Sequence, residues 1–324
     1  MADPIIRKYK IDSGPIHTIV VDADGTVYYS DEFNNRVVAL DVGGKVLWQA
    51  DGFRYPRGLA IGWISAGNEI RQCLAICDSW NNQVRFLDTD GHHLCSWGAA
   101  GGIGFKEVCD IRFLQVADEE KSEYWIVLDR GNHRLCAIGL DGQLLFEIGK
   151  VFPPDLELLW QKTVSFNDPA PREILHDFCV FDPLYYPTRI LGRSESSIFL
   201  VEPLRNRLKR LLFGSLFPLP LRPPDDCEWI SAADDVFVAY SKVKQQLYWF
   251  DASSKVIYEA SVDGTPVSSD QEIGEVWLHF KDRIELWRFE AIEKYIGCTE
   301  GGHGRIEAPI AEAEVEAASF NSSE

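Results

Sequence analysis

Asp129-Arg-Gly-Asn132-His133-Arg134-Leu135-Cys-Ala-Ile138 aligns without gaps on two earlier stretches, Asp31-Glu-Phe-Asn34-Asn35-Arg36-Val37-Val-Ala-Leu40 and Asp78-Ser-Trp-Asn81-Asn82-Gln83-Val84-Arg-Phe-Leu87. A weaker copy follows at Glu202-Pro-Leu-Arg-Asn206-Arg207-Leu208-Lys-Arg-Leu211. A fifth, Ser241 to Phe250, keeps the spacing without the acid or the Asn, and a sixth keeps its strand alone, Arg283 to Phe289. Starts at 31, 78, 129, 202 and 241 give steps of 47, 51, 73 and 39 residues. A period of this size marks a repeat architecture, and it has to be read before local structure is.

Around each block the chain alternates short strands with turns. His17-Thr-Ile-Val-Val21 and Thr26-Val-Tyr-Tyr29 flank Asp22-Ala-Asp-Gly25, and Asp41-Val-Gly-Gly44 leads into Lys45-Val-Leu-Trp48. β-Branched and aromatic runs bounded by Asp/Gly clusters are hairpin signals. Four short strands per unit of this length predict propeller blades. The 3.6-residue periodicity that leucine-rich, ankyrin or tetratricopeptide repeats require is almost missing.

The Asp-x-x-Asn-x-Arg-apolar block followed by an Asp-Gly turn, as at Asp129, Asn132, Arg134 and Asp141-Gly142, resembles the NHL repeat. The resemblance covers residues 16–150 well and 186–290 loosely. It implies an all-β, six-bladed propeller in which the Asp ends the second strand and the Asn sits in the turn before the third. Asp31, Asn34, Arg36, Asp78, Asn81, Asp129, Asn132, Arg134, Glu202 and Arg207 then form a structural motif whose side chains bond the turn backbone. Blades are expected at about 13–52, 53–98, 103–149, 186–222, 226–265 and 270–297 within a propeller over 1–297. An open ring would expose two sheet edges, so Pro4-Ile-Ile-Arg-Lys-Tyr-Lys-Ile11 is expected to pair outside Arg283 to Phe289 and close the last blade. Residues 298–324, with six acids against one base from Thr299 onward, read as an acidic flexible tail.

Composition narrows the function classes. The chain is 46% apolar and 12% aromatic, as ordered globular proteins are, and its net charge of −18 opposes sequence-independent attraction to phosphate. No run of 18 apolar residues occurs to span a membrane, and the first residues lack the apolar core of a signal peptide. Eight cysteines without a C-x-x-C pair read as small buried hydrophobes in a reducing compartment, so a cytoplasmic location is expected. The seven histidines show no zinc spacing, and no P-loop, dinucleotide fingerprint or G-x-S-x-G elbow is present, so no catalytic residue, metal or cofactor is expected.

Two segments stand out as candidate partner sites. The long step holds an insertion at 151–185 carrying Trp160 and Phe166, with Tyr185 and Tyr186 at its end; aromatic side chains in a long loop suit a partner surface. The fourth unit is basic, with Arg189, Arg193, Arg205, Arg207 and Arg210 in an acidic molecule. The leading expectation is a non-catalytic scaffold or adaptor that docks a protein partner through its loops and the 151–185 insertion. The alternatives are a metal-dependent propeller hydrolase or lyase acting on a small molecule, which the propeller enzymes that share this fold suggest, and single-stranded RNA binding on the basic face of blade four. The sequence names neither the partner nor a small-molecule ligand.

Overall fold

The computed structural model describes residues 5–98, 102–115, 122–149, 184, 187–192, 198–203, 207–212, 215–219, 221, 226–233, 236–269 and 274–292. The first strand, β1 (Ile5–Lys10), stands apart from the blade order that follows. Blade one holds β2 (Ile16–Val21), β3 (Val27–Asp31), β4 (Arg36–Leu40) and β5 (Val46–Ala50). Blade two holds β6 (Pro56–Ala66), β7 (Glu69–Asp78), β8 (Gln83–Leu87) and β9 (His93–Gly98). Blade three holds β10 (Val108–Gln115), β11 (Glu123–Asp129), β12 (Arg134–Gly139) and β13 (Leu144–Ile148). Blade four holds β14 (Arg189–Leu191), β15 (Ile198–Glu202), β16 (Arg207–Leu212) and β17 (Ser215–Pro218). Blade five holds β18 (Cys227–Ala233), β19 (Val236–Ser241), β20 (Gln246–Asp251) and β21 (Val256–Ser261). Blade six holds β22 (Thr265–Ser269), β23 (Glu275–His279) and β24 (Arg283–Arg288), and β1 supplies its outer strand. All pairings within blades are antiparallel, between sequence neighbours except for β1 with β24, and β2 meets β22 by a short parallel bridge, Thr18 opposite Ser268 and Ile19 opposite Ser269. The result is a six-bladed β-propeller.

A blade buries both of its faces, which explains the unbroken apolar runs such as Trp125-Ile-Val-Leu128 in β11. Trp125 and Val127 point toward blade two, whereas Ile126 and Leu128 point toward blade four. Among the described residues the buried apolar side chains fall into six clusters, each shared by two adjacent blades. The cluster between blades six and one joins Trp277, Ile284 and Leu286 to Ile19, Val27 and Leu40, so the ring closes on itself. Tyr9 of β1 stacks on Trp277 in that same cluster.

The turns at the far end of the blades use one device. Asp22, Asp41, Asp88 and Asp251 each accept backbone N–H bonds from the residues two and four positions on through Oδ1, at 2.7–3.1 Å. Each of the tight hairpins these acids head is therefore fixed by its own first residue.

β1 is anchored by charge as well as by its ladder. Tyr9 lies opposite Ile284 and Lys10 opposite Arg283, and Glu285 accepts from Lys8 Nζ at 2.8 Å, Arg283 Nε at 2.7 Å and Trp287 Nε1 at 2.9 Å. Burial works to raise the Glu285 pKa, but the hydrogen bonds from Lys8, Arg283 and Trp287 outweigh it and hold the carboxyl below its ordinary value. A depressed carboxylate contributes stability above its unfolded-state pKa of about 4.3 and loses it as the pH falls through the folded-state value. The difference in melting temperature between the wild type and Glu285→Gln should therefore shrink on acidification through the carboxylate range. A difference that stays constant across that range would show that the buried charge does not anchor β1.

Candidate functional site

One end of the ring carries the starts of all the innermost strands and the turns between second and third strands. The recurring acids organise it. Asp31 accepts from Gly14 N (3.1 Å), Asn34 Nδ2 (2.9 Å) and Arg36 Nε (2.9 Å). Asp78 accepts from Arg54 N (2.7 Å), Asn81 Nδ2 (2.9 Å) and Gln83 Nε2 (2.9 Å). Asp129 accepts from Lys106 N (2.7 Å), Asn132 Nδ2 (2.8 Å) and Arg134 Nε (2.8 Å). In each blade one carboxylate ties the loop entering the innermost strand to the turn leaving the second. Burial raises the Asp129 pKa above its usual value even against these donors. In blade four the buried Glu202 faces the buried Lys209 ammonium at 3.4 Å. In blade five Ser241 stands in the acid's place and donates to the Asp226 carboxylate.

A second link joins neighbouring blades. Asn35 and Asn82 adopt left-handed backbone, with φ of 55° in each, and their Oδ1 atoms accept from the backbone N–H of Tyr55 and Glu107, both at 2.8 Å. Each donor belongs to the loop that enters the next blade. His133 holds the same position in blade three, φ 54°, and the chain after that blade runs into residues outside the described set.

With the acid, the Asn and the basic residue committed to the turn, the second position after the acid points outward. Phe33, Trp80 and Val243 occupy it in blades one, two and five and are 61%, 53% and 82% exposed. Tyr55, fixed by Asn35, fills the space between the first two. Its ring meets Phe33 edge-on with centroids 5.9 Å apart and stacks on Trp80 at 4.8 Å, 11° from parallel. Phe33, Tyr55 and Trp80 thus form a continuous aromatic strip across blades one and two. The Arg57 guanidinium lies over the Tyr55 ring, 5.0 Å from its centroid.

The same end opens into the central channel. His17, Arg57 and Arg189 lie at the entry of the innermost strands of blades one, two and four, since Ile16 pairs with Asp31, Pro56 with Asp78, and Arg189 with Val201, the residue before Glu202. Burial lowers the His17 pKa well below its usual value, and the charges of Arg189, Arg57, Arg130 and Arg112 lower it further. Blades one and four are opposite in a ring of six, so the field of Arg189 reaches His17 across the channel. Three of the four guanidiniums have acid partners: Arg57 with Glu32 at 2.9 Å, Arg112 with Asp110 at 3.1 Å, Arg130 with Glu107 at 3.1 Å. Asp110 also takes the Ile190 N–H at 2.8 Å, and Arg112 Nη2 donates to Ile190 O at 3.1 Å, so one ion pair stitches blade three to blade four beside the axis. Arg189 Nη1 is buried and meets no hydrogen-bond acceptor among the described residues.

The described basic residues of blade four lie on two strands, Arg189 on β14 and Arg207, Lys209 and Arg210 on β16. Arg189 lies at the channel mouth; Arg210, on the third strand, extends over the Phe199 ring at 5.7 Å; Lys209 between them in sequence is fully buried. Neighbours on one strand alternate between its faces, which separates Lys209 from Arg210. Arg207 pairs with Glu202 in the β15–β16 ladder. Trp160, Phe166, Tyr185, Tyr186, Arg193 and Arg205, the 151–185 insertion apart from Leu184, and the 298–324 tail lie outside the described residues.

Among the described residues the one group able to offer three metal ligands is Asp88, Asp90 and His92, exposed in a hairpin at the far end of the ring, where Asp88 already caps the turn. The six described cysteines are free, and burial pushes the Cys109 and Cys136 thiols up to about 12 and Cys227 to about 11, which makes poor nucleophiles of them. No helix among the described residues is long and apolar enough to cross a membrane.

No family model matches the sequence, and no curated protein matches it significantly. Among solved structures the fold is similar to a catalytically inactive virginiamycin B lyase from Staphylococcus aureus with quinupristin, at 12% identity over 86% of this chain and 82% of that one, with a TM-score of 0.53. The selenomethionine-substituted virginiamycin B lyase from the same organism superposes at a TM-score of 0.50, with 12% identity over 87% and 99% of the two chains. At this identity the likeness shows the fold: a β-propeller.

Proposed function

We propose that the chain is an NHL-like propeller acting in the cytoplasm as a non-catalytic platform that docks a protein partner through the turn face and the 151–185 insertion. The observation that carries this reading is the aromatic strip of Phe33, Tyr55 and Trp80. Large apolar side chains held in mutual contact yet open to water are the usual material of interface cores. Turn chemistry alone asks for nothing aromatic there, since Gly131 serves at the equivalent place in blade three. The buried free thiols support a reducing compartment.

Phe33→Ser combined with Trp80→Ser should leave the melting temperature close to that of the wild type, because both side chains are exposed, while weakening the partner by about 100-fold, the loss of two aromatic anchors. Crosslinking mass spectrometry on the complex isolated from source cells, followed by calorimetry with the purified partner, measures both. Undiminished affinity, or crosslinks confined to the Asp22, Asp41, Asp88 and Asp251 turns, would overturn the proposal. A metal that copurifies stoichiometrically and turnover of a small molecule would favour the enzyme reading instead.

A further inference from the structure

Building on the docking reading above, we infer that the occupant of the turn face is an acidic peptide segment, one carboxylate of which seats on the Arg189 guanidinium at the channel mouth while neighbouring apolar side chains lie along Phe33, Tyr55 and Trp80. Arg189 is the charge around which the mouth is arranged. It sits on the innermost strand of blade four, where Glu228 of blade five, Asp110 and Arg112 of blade three and Glu32 of blade one all act on it. Burial lowers its pKa most, yet a guanidinium remains charged at neutral pH, and its Nη1 lacks an acceptor among the described residues. Of the acids around it, Glu32 is committed to Arg57 and Asp110 to Arg112, and Glu228 is exposed and makes no ion pair with it. One enclosed guanidinium with open donors is matched by one planar anion, and a carboxylate offers two oxygens to its fork.

Arg57 makes the mouth and the strip continuous. Its guanidinium lies by the Tyr55 ring and is also one of the charges that bear on His17. A ligand spanning both would carry an acid with aromatic or aliphatic side chains beside it. The alternative, a phosphate chain stacked on the aromatics, needs a track of uncommitted cations; here Arg57, Arg112 and Arg130 have acid partners.

The test is a random peptide library panned on the full chain. Selected peptides should share an Asp or Glu flanked by apolar residues. Changing that acid to its amide should weaken binding at least about tenfold. Arg189→Gln should do the same, and the two changes together should cost no more than either alone. The change on the peptide leaves the protein untouched, so a misfolded Arg189 variant does not obscure the result. On saturation with peptide the His17 ring, followed by NMR, should titrate at higher pH, because a carboxylate offsets the field of Arg189, Arg57, Arg130 and Arg112. If the acid and Arg189 prove dispensable while Phe33→Ser with Trp80→Ser abolishes binding, the carboxylate seat is wrong and the platform stands. If no peptide depends on this face, and oligouridylate binds it with a steep salt slope, both proposals fall in favour of RNA.

Discussion

Asp78→Ala is expected to lower the unfolding free energy by about 3–5 kcal/mol, since it strands three donors at roughly 1–3 kcal/mol each with partial relaxation. The carboxylate is fully buried, and Arg54 N, Asn81 Nδ2 and Gln83 Nε2 all spend their protons on it. None of the three is a charged partner, so the effect is one of hydrogen bonding and desolvation rather than of a broken ion pair. Asp78→Asn separates these terms. The amide keeps one acceptor oxygen but turns an N–H2 toward at least one of the donors, so it should recover part of the loss and no more. Denaturant unfolding of the three proteins at neutral pH makes the comparison. A change below about 1 kcal/mol for the Ala variant would mean that the loop and turn satisfy themselves without the acid.

Gly58→Ala should be nearly as costly for a different reason. A Cβ built on Gly58 would lie 2.6 Å from Asp110 Cα, 2.6 Å from Asp110 Oδ1 and 3.0 Å from Ile111 N. Asp110 cannot withdraw without giving up Arg112 at 3.1 Å and the Ile190 N–H at 2.8 Å, the stitch between blades three and four. Overpacking against backbone of this kind is expected to cost about 3 kcal/mol, the upper end of the usual range. Gly67→Ala is the informative comparison, because Gly67 has a φ of 67° and open space around it. Its cost should be conformational alone, roughly 1–2 kcal/mol. Equal costs at the two sites would show that the blades are not in close contact at the axis.

The propeller was legible because its repeats announce themselves through committed residues. Asp31, Asp78 and Asp129 recur at the same place because each has to close the same loop, and the double-sided burial of every blade writes apolar runs such as Trp125 to Leu128 into the sequence. Blade six was harder. Its innermost strand is Thr265–Ser269, ahead of the start near 270 drawn from sequence, and with Pro266 and two serines it lacks a β-branched run. The inter-blade bonds of Asn35 and Asn82 were invisible, since their partners lie some twenty residues downstream in loops with no pattern of their own. At the candidate site the sequence carries a signal. Phe33 and Trp80 stand inside the aligned blocks, as aromatics in otherwise polar turns, and a solvent-facing turn has no packing use for them. The channel mouth carried no such signal: His17, Arg57, Arg130 and Arg189 come from four blades at positions that are not all equivalent. They meet because the ring brings the strand entries to one axis. Arg189 and Arg210 lie on different strands of one blade, β14 and β16, which nearness in sequence does not show.

Everything at the mouth depends on blades one and four facing each other, which holds when the ring is closed and its first strand lies on the last blade. Hydrogen exchange on residues 5–10 reads this directly. In a closed ring the amides of that edge strand that bond β24 should exchange with the free energy of global unfolding, in step with β23 and β24, and should lose protection together with them in denaturant. Rapid exchange of those bonded amides while β23 and β24 stay protected would contradict the closed ring.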